Sequence, residues 1–191
     1  MHEWLDDEPK GRRYWKFLFA CLIWSIIYAT TVGKLLLDYA TRNQSSILFR
    51  LPLFQLDVLQ DRKGEMMDFF YNYPPWTLFF IVGVITLTEE IQFRWLVLWP
   101  ASKIFGNSKI TVGLAIVSSF IFGWYHYHFK KDGLPFTLIQ GILGLALSFV
   151  YLKCGAFHNR NLKALWSSYL MHLMYNFLIM APVIMLIYLS K

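Results

Sequence analysis

Two adjacent glutamates, Glu89 and Glu90, stand in the stretch TEEIQFRW (88–95), with Arg94 four residues after the second, in a chain that is apolar for long distances on both sides. A carboxylate can take a proton from water, bind a metal ion or relay protons, and keeping one in apolar surroundings needs a reason of that kind. On insertion scales an acidic residue at the centre of a membrane helix costs about 2.5–3.5 kcal/mol. Glu90 and Arg94 are i,i+4 on a helix and neutralise each other along one face. Glu89 is turned about 100° away and must find its partner on another element. Two further stretches offer one. FGWYHYHF (122–129) carries His126 on the face of Phe122, with His128 turned to roughly the opposite side and expected to be structural. SYLMHLMYNF (168–177) carries His172 and Asn176 at i,i+4, so both project from one face. An imidazole and a carboxamide so placed present N–H donors to a developing negative charge, and losing one such donor commonly costs about 3 kcal/mol in barrier.

The elements that must hold these residues are apolar helices. The 191 residues are 57% hydrophobic and 19% aromatic, far from the composition of an ordinary soluble domain, and the length suits one domain. Hydrophobic stretches over 14–31, 75–99, 110–129, 134–152 and 165–189 each approach the ~20 residues a helix needs to cross a bilayer. The expected fold is all-α: a polytopic transmembrane helix bundle of about five spans, with the active site buried among the last four. Residues 1–74 are expected to form an N-terminal anchor helix plus an interfacial segment, and 75–191 the helical core that carries the candidate catalytic residues. No small-residue cleavage site follows the first span, so it is retained as an anchor. The apolar run after it, 47–70, is broken by Arg50, Pro52 and Asp57 and reads as interfacial. Pro74 and Pro75 set a sharp start to the second span, and Pro100 closes or kinks it. KKDG (130–133) is a short polar turn that makes the third and fourth spans antiparallel neighbours. GILGLALS places Gly141, Gly144, Ala146 and Ser148 as a small-residue face that lets helices approach.

The formal net charge of +6 resides at span ends and connections, where snorkelling and lipid headgroups account for it, and nucleic acid is not an expected partner. Basic residues before the first span (Lys10, Arg12, Arg13, Lys16) are balanced by those after it (Lys34, Arg42, Arg50, Arg62, Lys63), which leaves the membrane orientation open. Trp76, Trp99 and Trp166 are expected as interfacial anchors. Cys21 and Cys154 suggest neither a disulfide framework nor a zinc site. At 1.5 Å per residue from a common membrane face, Glu89 lies about 15–20 Å deep, His172 about 12–15 Å and His126 about 20–24 Å, depths that permit convergence.

EEIQFR matches an EExxxR signature, FGWYH an FxxxH signature and HLMYN an HxxxN signature, in the order and spacing of the CPBP intramembrane proteases, the group that includes the CAAX-prenyl endopeptidases and the Abi proteins. The chain resembles that family over about 88–177. The resemblance implies that Glu89 is the general base on a water, that His126 binds and polarises this water, and that His172 with Asn176 stabilises the oxyanion. Glu90 and Arg94 are implied as structural support. It implies an integral, multi-pass location, taken as a bacterial plasma membrane, with membrane lipids and a membrane-associated or lipidated peptide as partners, and no cofactor or metal. Where the family commonly has glycine after the arginine this chain has Trp95, which bears on substrate choice. His158, in the HNRN stretch (158–161), reads as loop.

Two other uses of the same residues stand beside this one. A metal site would employ the Glu and His side chains as ligands, although HExxH is absent and no two histidines are i,i+4. A transporter or assembly subunit would use the buried Glu/His cluster for proton or ion relay.

Overall fold

The computed structural model describes residues 7–42, 72, 74–128 and 133–189. Helix α1 (Gly11–Arg42) is followed by α2 (Pro75–Glu90), a π-helical turn (Ile91–Trp95) and α3 (Leu96–Phe105), which together form one interrupted helix. Then come α4 (Lys109–His128), α5 (Gly133–Lys153), a 3₁₀ turn (Ala156–His158) and α6 (Asn161–Leu189). The described residues are all-helical apart from their connections. The described residues of each of the five apolar stretches fall on helix. By length and hydropathy, two windows among the described residues qualify as membrane spans, Gly11–Val32 and Leu138–His158.

Local chemistry sets the ends. Pro75 occupies the first turn of α2, where its missing N–H costs nothing. Pro100 lies inside α3 rather than closing it, and the helix runs on to Gly106, whose φ of 56° suits a residue without Cβ. The first helix extends eleven residues beyond the apolar stretch ending at 31, because no proline interrupts the chain there. The interfacial segment expected over 47–70 and the turn residues 130–132 lie outside the described residues, as does the side chain of His128.

Packing is centred on α5. It lies against α4 over its most extensive contact and also meets α1 and α6. Leu18 and Leu22 of α1 join Leu147 and Val150 of α5 and Met171 and Tyr175 of α6 in one buried cluster. A second cluster links Leu98 of α3, Ala115 of α4, Tyr151 of α5 and Ala164 of α6. The small-residue face of α5 is real but narrower than expected. A Cβ on Gly144 would stand 3.1 Å from Phe122 Cδ1 and 3.3 Å from Ser119 Cα, and Ser148 Oγ lies 3.2 Å from Ser119 Oγ. Gly141 also borders α4, whereas Ala146 turns to the opposite side and joins the α1–α6 cluster. The physical reason is phase: residue 146 is two positions from 144 and so some 200° around the helix.

Candidate active site

Glu89 and Glu90 end α2, and the π-helical turn begins at the next residue. The amide of Leu96 bonds to the Ile91 carbonyl five residues back, which marks the widened turn, and such turns recur at functional sites. Ser118 of α4 donates to the Phe93 carbonyl within it, so a neighbouring helix satisfies backbone that the irregular turn frees.

The turn carries Arg94 inward. Arg94 and Glu90 are both 0% exposed, with Arg94 Nη1 3.3 Å from Glu90 Oε1, and the expected intrahelical pair is present. Arg94 has two further partners that the sequence did not announce. Its Nη2 donates to the Gly144 carbonyl at 3.3 Å, and its guanidinium lies 4.3 Å from the centre of the Phe122 ring. Gly144 therefore serves twice, by admitting Phe122 and by offering its carbonyl to a buried cation.

His172 stands between the two glutamates. Its Nδ1 is 2.8 Å from Glu90 Oε1 and its Nε2 is 3.7 Å from Glu89 Oε2. A carboxylate only accepts, so Nδ1 carries the proton and donates it to Glu90, leaving Nε2 directed toward Glu89. Glu90 thus orients His172 as well as neutralising Arg94. Asn176, one turn further along α6, donates through Nδ2 to Thr86 Oγ1 at 3.0 Å. Thr86 is fully buried one turn before the glutamates, and it is the site neighbour the sequence reading missed. Its position three residues before Glu89, on the helix that supplies both carboxylates, was the available signal.

His126 is buried on α4, its ring 4.6 Å from that of Phe122, which in turn lies 5.8 Å from His172. Nδ1 of His126 donates to the Phe122 carbonyl at 3.0 Å, which fixes the ring against its own helix. Three helices thus bring Arg94, His126 and His172 to the Phe122 ring, with Glu89 and Glu90 on either side of His172 and Asn176 on Thr86. His158 lies apart, in the 3₁₀ turn. Trp95 stacks on Trp99 with ring centres 5.0 Å apart and planes 6° from parallel, and it packs partly buried against the cluster of Leu98, Ala115 and Tyr151.

A family model described as type II CAAX prenyl endopeptidase Rce1-like matches residues 71–178, more than half of the chain. The chain belongs to this family. The match contains the whole polar cluster and leaves out α1. No curated protein and no solved structure matches. As a member of the Rce1-like family the chain is an intramembrane protease, a hydrolase of the CAAX type, and its family acts on prenylated substrates at the membrane.

Proposed function

We propose that this Rce1-like protein is a glutamate-dependent endopeptidase that cuts a membrane-associated or lipidated peptide. The observation that carries the reading is His172 held between Glu90 and Glu89, at 2.8 Å and 3.7 Å, inside the family match. In the proposed reaction Glu89 takes a proton from a water as its oxygen attacks the scissile carbonyl carbon. His126, its Nδ1 fixed on the Phe122 carbonyl, accepts the water's other hydrogen through Nε2 and so aims the lone pair. The carbonyl oxygen becomes an oxyanion that Asn176 and His172 receive through N–H groups. Because Nδ1–H of His172 is committed to Glu90, the donor it offers is Nε2–H, and His172 acts with both nitrogens protonated. Glu89 then passes its proton to the amine nitrogen, the C–N bond breaks, and a carboxylic acid and an amine leave, the acid's remaining proton passing to the amine to give carboxylate and ammonium.

Around this centre we propose five spans, formed by α1, the α2–α3 helix, α4, α5 and α6, with 75–191 as the catalytic core and the N-terminal residues as an anchor. The support is the set of apolar helices and the membrane-embedded family. The test is cleavage by the purified protein of a panel containing a farnesylated C-terminal peptide, a leader peptide and a sorting tail, with the cut mapped by mass spectrometry. One defined cut, absent with Glu89→Gln, is expected. Substrate-dependent proton or ion flux in vesicles, with no peptide cut, would instead support a transporter.

A further inference from the structure

α1 carries a stripe that peptide hydrolysis does not use. At 100° per residue, Arg13, Phe17, Ala20, Cys21 and Trp24 fall within an arc of about 100°, and Lys10 stands just before the helix. Leu18 and Leu22 point elsewhere, into the core with α5 and α6. Two cavities lie along the stripe. One, of about 470 Å³, sits at the end of the bundle where the chain enters α1, and Lys10, Arg13, His158 and Arg160 line it with Asp7 and Glu8. The other, of about 450 Å³, runs between α1 and α5 and is walled by Phe17, Cys21, Trp24, Leu145 and Phe149, with almost no polar surface.

α5 continues from one cavity to the other in the same way. Leu145, Phe149 and Lys153 are spaced i, i+4, i+8, and Lys153 Nζ donates to the Asp7 carbonyl at 2.9 Å beside the polar cavity. The rings of Phe17 and Phe149 meet edge to face at 5.5 Å across the join between the helices. At the polar end three cations face two carboxylates, with Lys153 and Lys163 just beyond, so positive charge is in excess. The side chains of Arg13 and Arg160 are 69% and 56% exposed and reach solvent despite their contacts with Asp7 and Glu8. His158 Nε2 is buried there without a hydrogen-bond partner among the described residues.

Excess cations over an apolar groove that descends about 16 Å from Arg13 to Trp24 complement an amphiphile with an anionic head and a long hydrocarbon chain. We propose that an anionic phospholipid occupies this site, its phosphate at Lys10, Arg13 and Arg160 and one acyl chain along the α1–α5 groove. An uncharged prenyl chain would use the groove and leave the excess positive charge uncompensated. The bound lipid joins α1 to α5 and, through Arg160, to the start of α6. The inference rests on membrane embedding and is independent of the chemistry at Glu89.

The test uses the full chain, delipidated in neutral detergent, with native mass spectrometry and thermal unfolding in phosphatidylglycerol or in phosphatidylcholine of the same acyl chains. We expect one phosphatidylglycerol to be retained at least tenfold more strongly than phosphatidylcholine and to raise the unfolding temperature. The double variant Lys10→Gln, Arg13→Gln should remove that preference. Ala20→Phe, at an exposed position that fills the groove, should weaken both lipids and serves if the charge variant does not fold. Equal retention of the two lipids, or full phosphatidylglycerol retention in both variants, overturns the proposal. So does displacement of phosphatidylglycerol by a farnesylated peptide, which would give the groove to a substrate anchor, or by self-association, which would give it to a second copy.

Discussion

Glu89 and Glu90 are neighbours in sequence and differ in almost everything else. Glu90 is engaged by Arg94 and by His172 Nδ1, whereas Glu89 faces the other ring nitrogen of His172, with Oε2 3.7 Å from Nε2. Replacing Glu90 with Gln leaves Arg94 as an uncompensated buried cation, a change that costs about 3–5 kcal/mol. We therefore expect Glu90→Gln to fail in folding or expression, and Glu89→Gln to fold normally while losing cleavage; circular dichroism and peptide turnover on the two purified variants check this. A well-folded, inactive Glu90→Gln beside an active Glu89→Gln would reverse the assignment. Asn176 and Thr86 allow a finer test. Asn176→Ala and Thr86→Val both remove one interhelical hydrogen bond, about 0.6 kcal/mol on average in membrane proteins, so their melting temperatures should fall alike. Their kcat values should not. Asn176→Ala loses the donor itself, about 100-fold, with KM nearly unchanged, whereas Thr86→Val only loosens it, by about tenfold. Equal kcat values per folded molecule would make Asn176 packing glue.

The helices place these groups by close approach and by one irregular turn. Without a Cβ at 144, α5 sits against Phe122 and Ser119 of α4 and its backbone receives Arg94. A methyl there would meet Phe122 at 3.1 Å and Arg94 Nη2 at 3.3 Å, contacts too tight to keep unchanged. Gly144→Ala should cost about 1–3 kcal/mol as overpacking and reduce turnover, because Arg94 holds Glu90 and Glu90 holds His172. Gly144→Val should abolish folding, whereas Gly113→Ala, with no atom near its added Cβ, should be nearly silent. Thermal unfolding of the three variants measures the order. The π-helical turn at Ile91–Trp95 belongs with Gly144, since it delivers Arg94 to the point where that carbonyl waits.

Among the described residues, Glu8 ties the segment before α1 to the last helix. Glu8 is buried, accepts a hydrogen bond from Lys163 and lies 3.3 Å from Arg160 Nη1, both at the start of α6. Burial pushes its carboxyl upward, but the Lys163 bond and the charges of Lys163, Arg160 and His158 outweigh it, and the pKa is lowered from the ordinary 4.5. A depressed pKa means that the contribution is present above the unfolded value and is lost as pH falls through the folded one. Glu8→Gln should therefore lower the melting temperature near neutral pH, and wild type and variant should converge as pH drops well below 4.5. A constant gap down to low pH would show that Glu8 acts through shape rather than charge. Because α6 also carries His172 and Asn176, this tie couples the N-terminal helix to the helix that holds half of the proposed site.

Helix and the polar pairs were legible along the chain because each rests on short-range spacing: 3.6-residue periodicity, proline at helix starts, and i,i+4 pairs such as Glu90–Arg94 and His172–Asn176. The helical core of α2 to α6 and the inward placement of the six polar residues follow from those rules. What spacing cannot report is which partner a side chain meets across helices. His172 between both glutamates, Thr86 beneath Asn176, the Gly144 carbonyl on Arg94 and the role of Glu8 all join residues far apart in sequence. The π-helical turn was hidden for a related reason. An α-helical count assumes a constant turn, and the widened one is stabilised by tertiary contacts such as Ser118 on the Phe93 carbonyl, which exist only once α4 is packed.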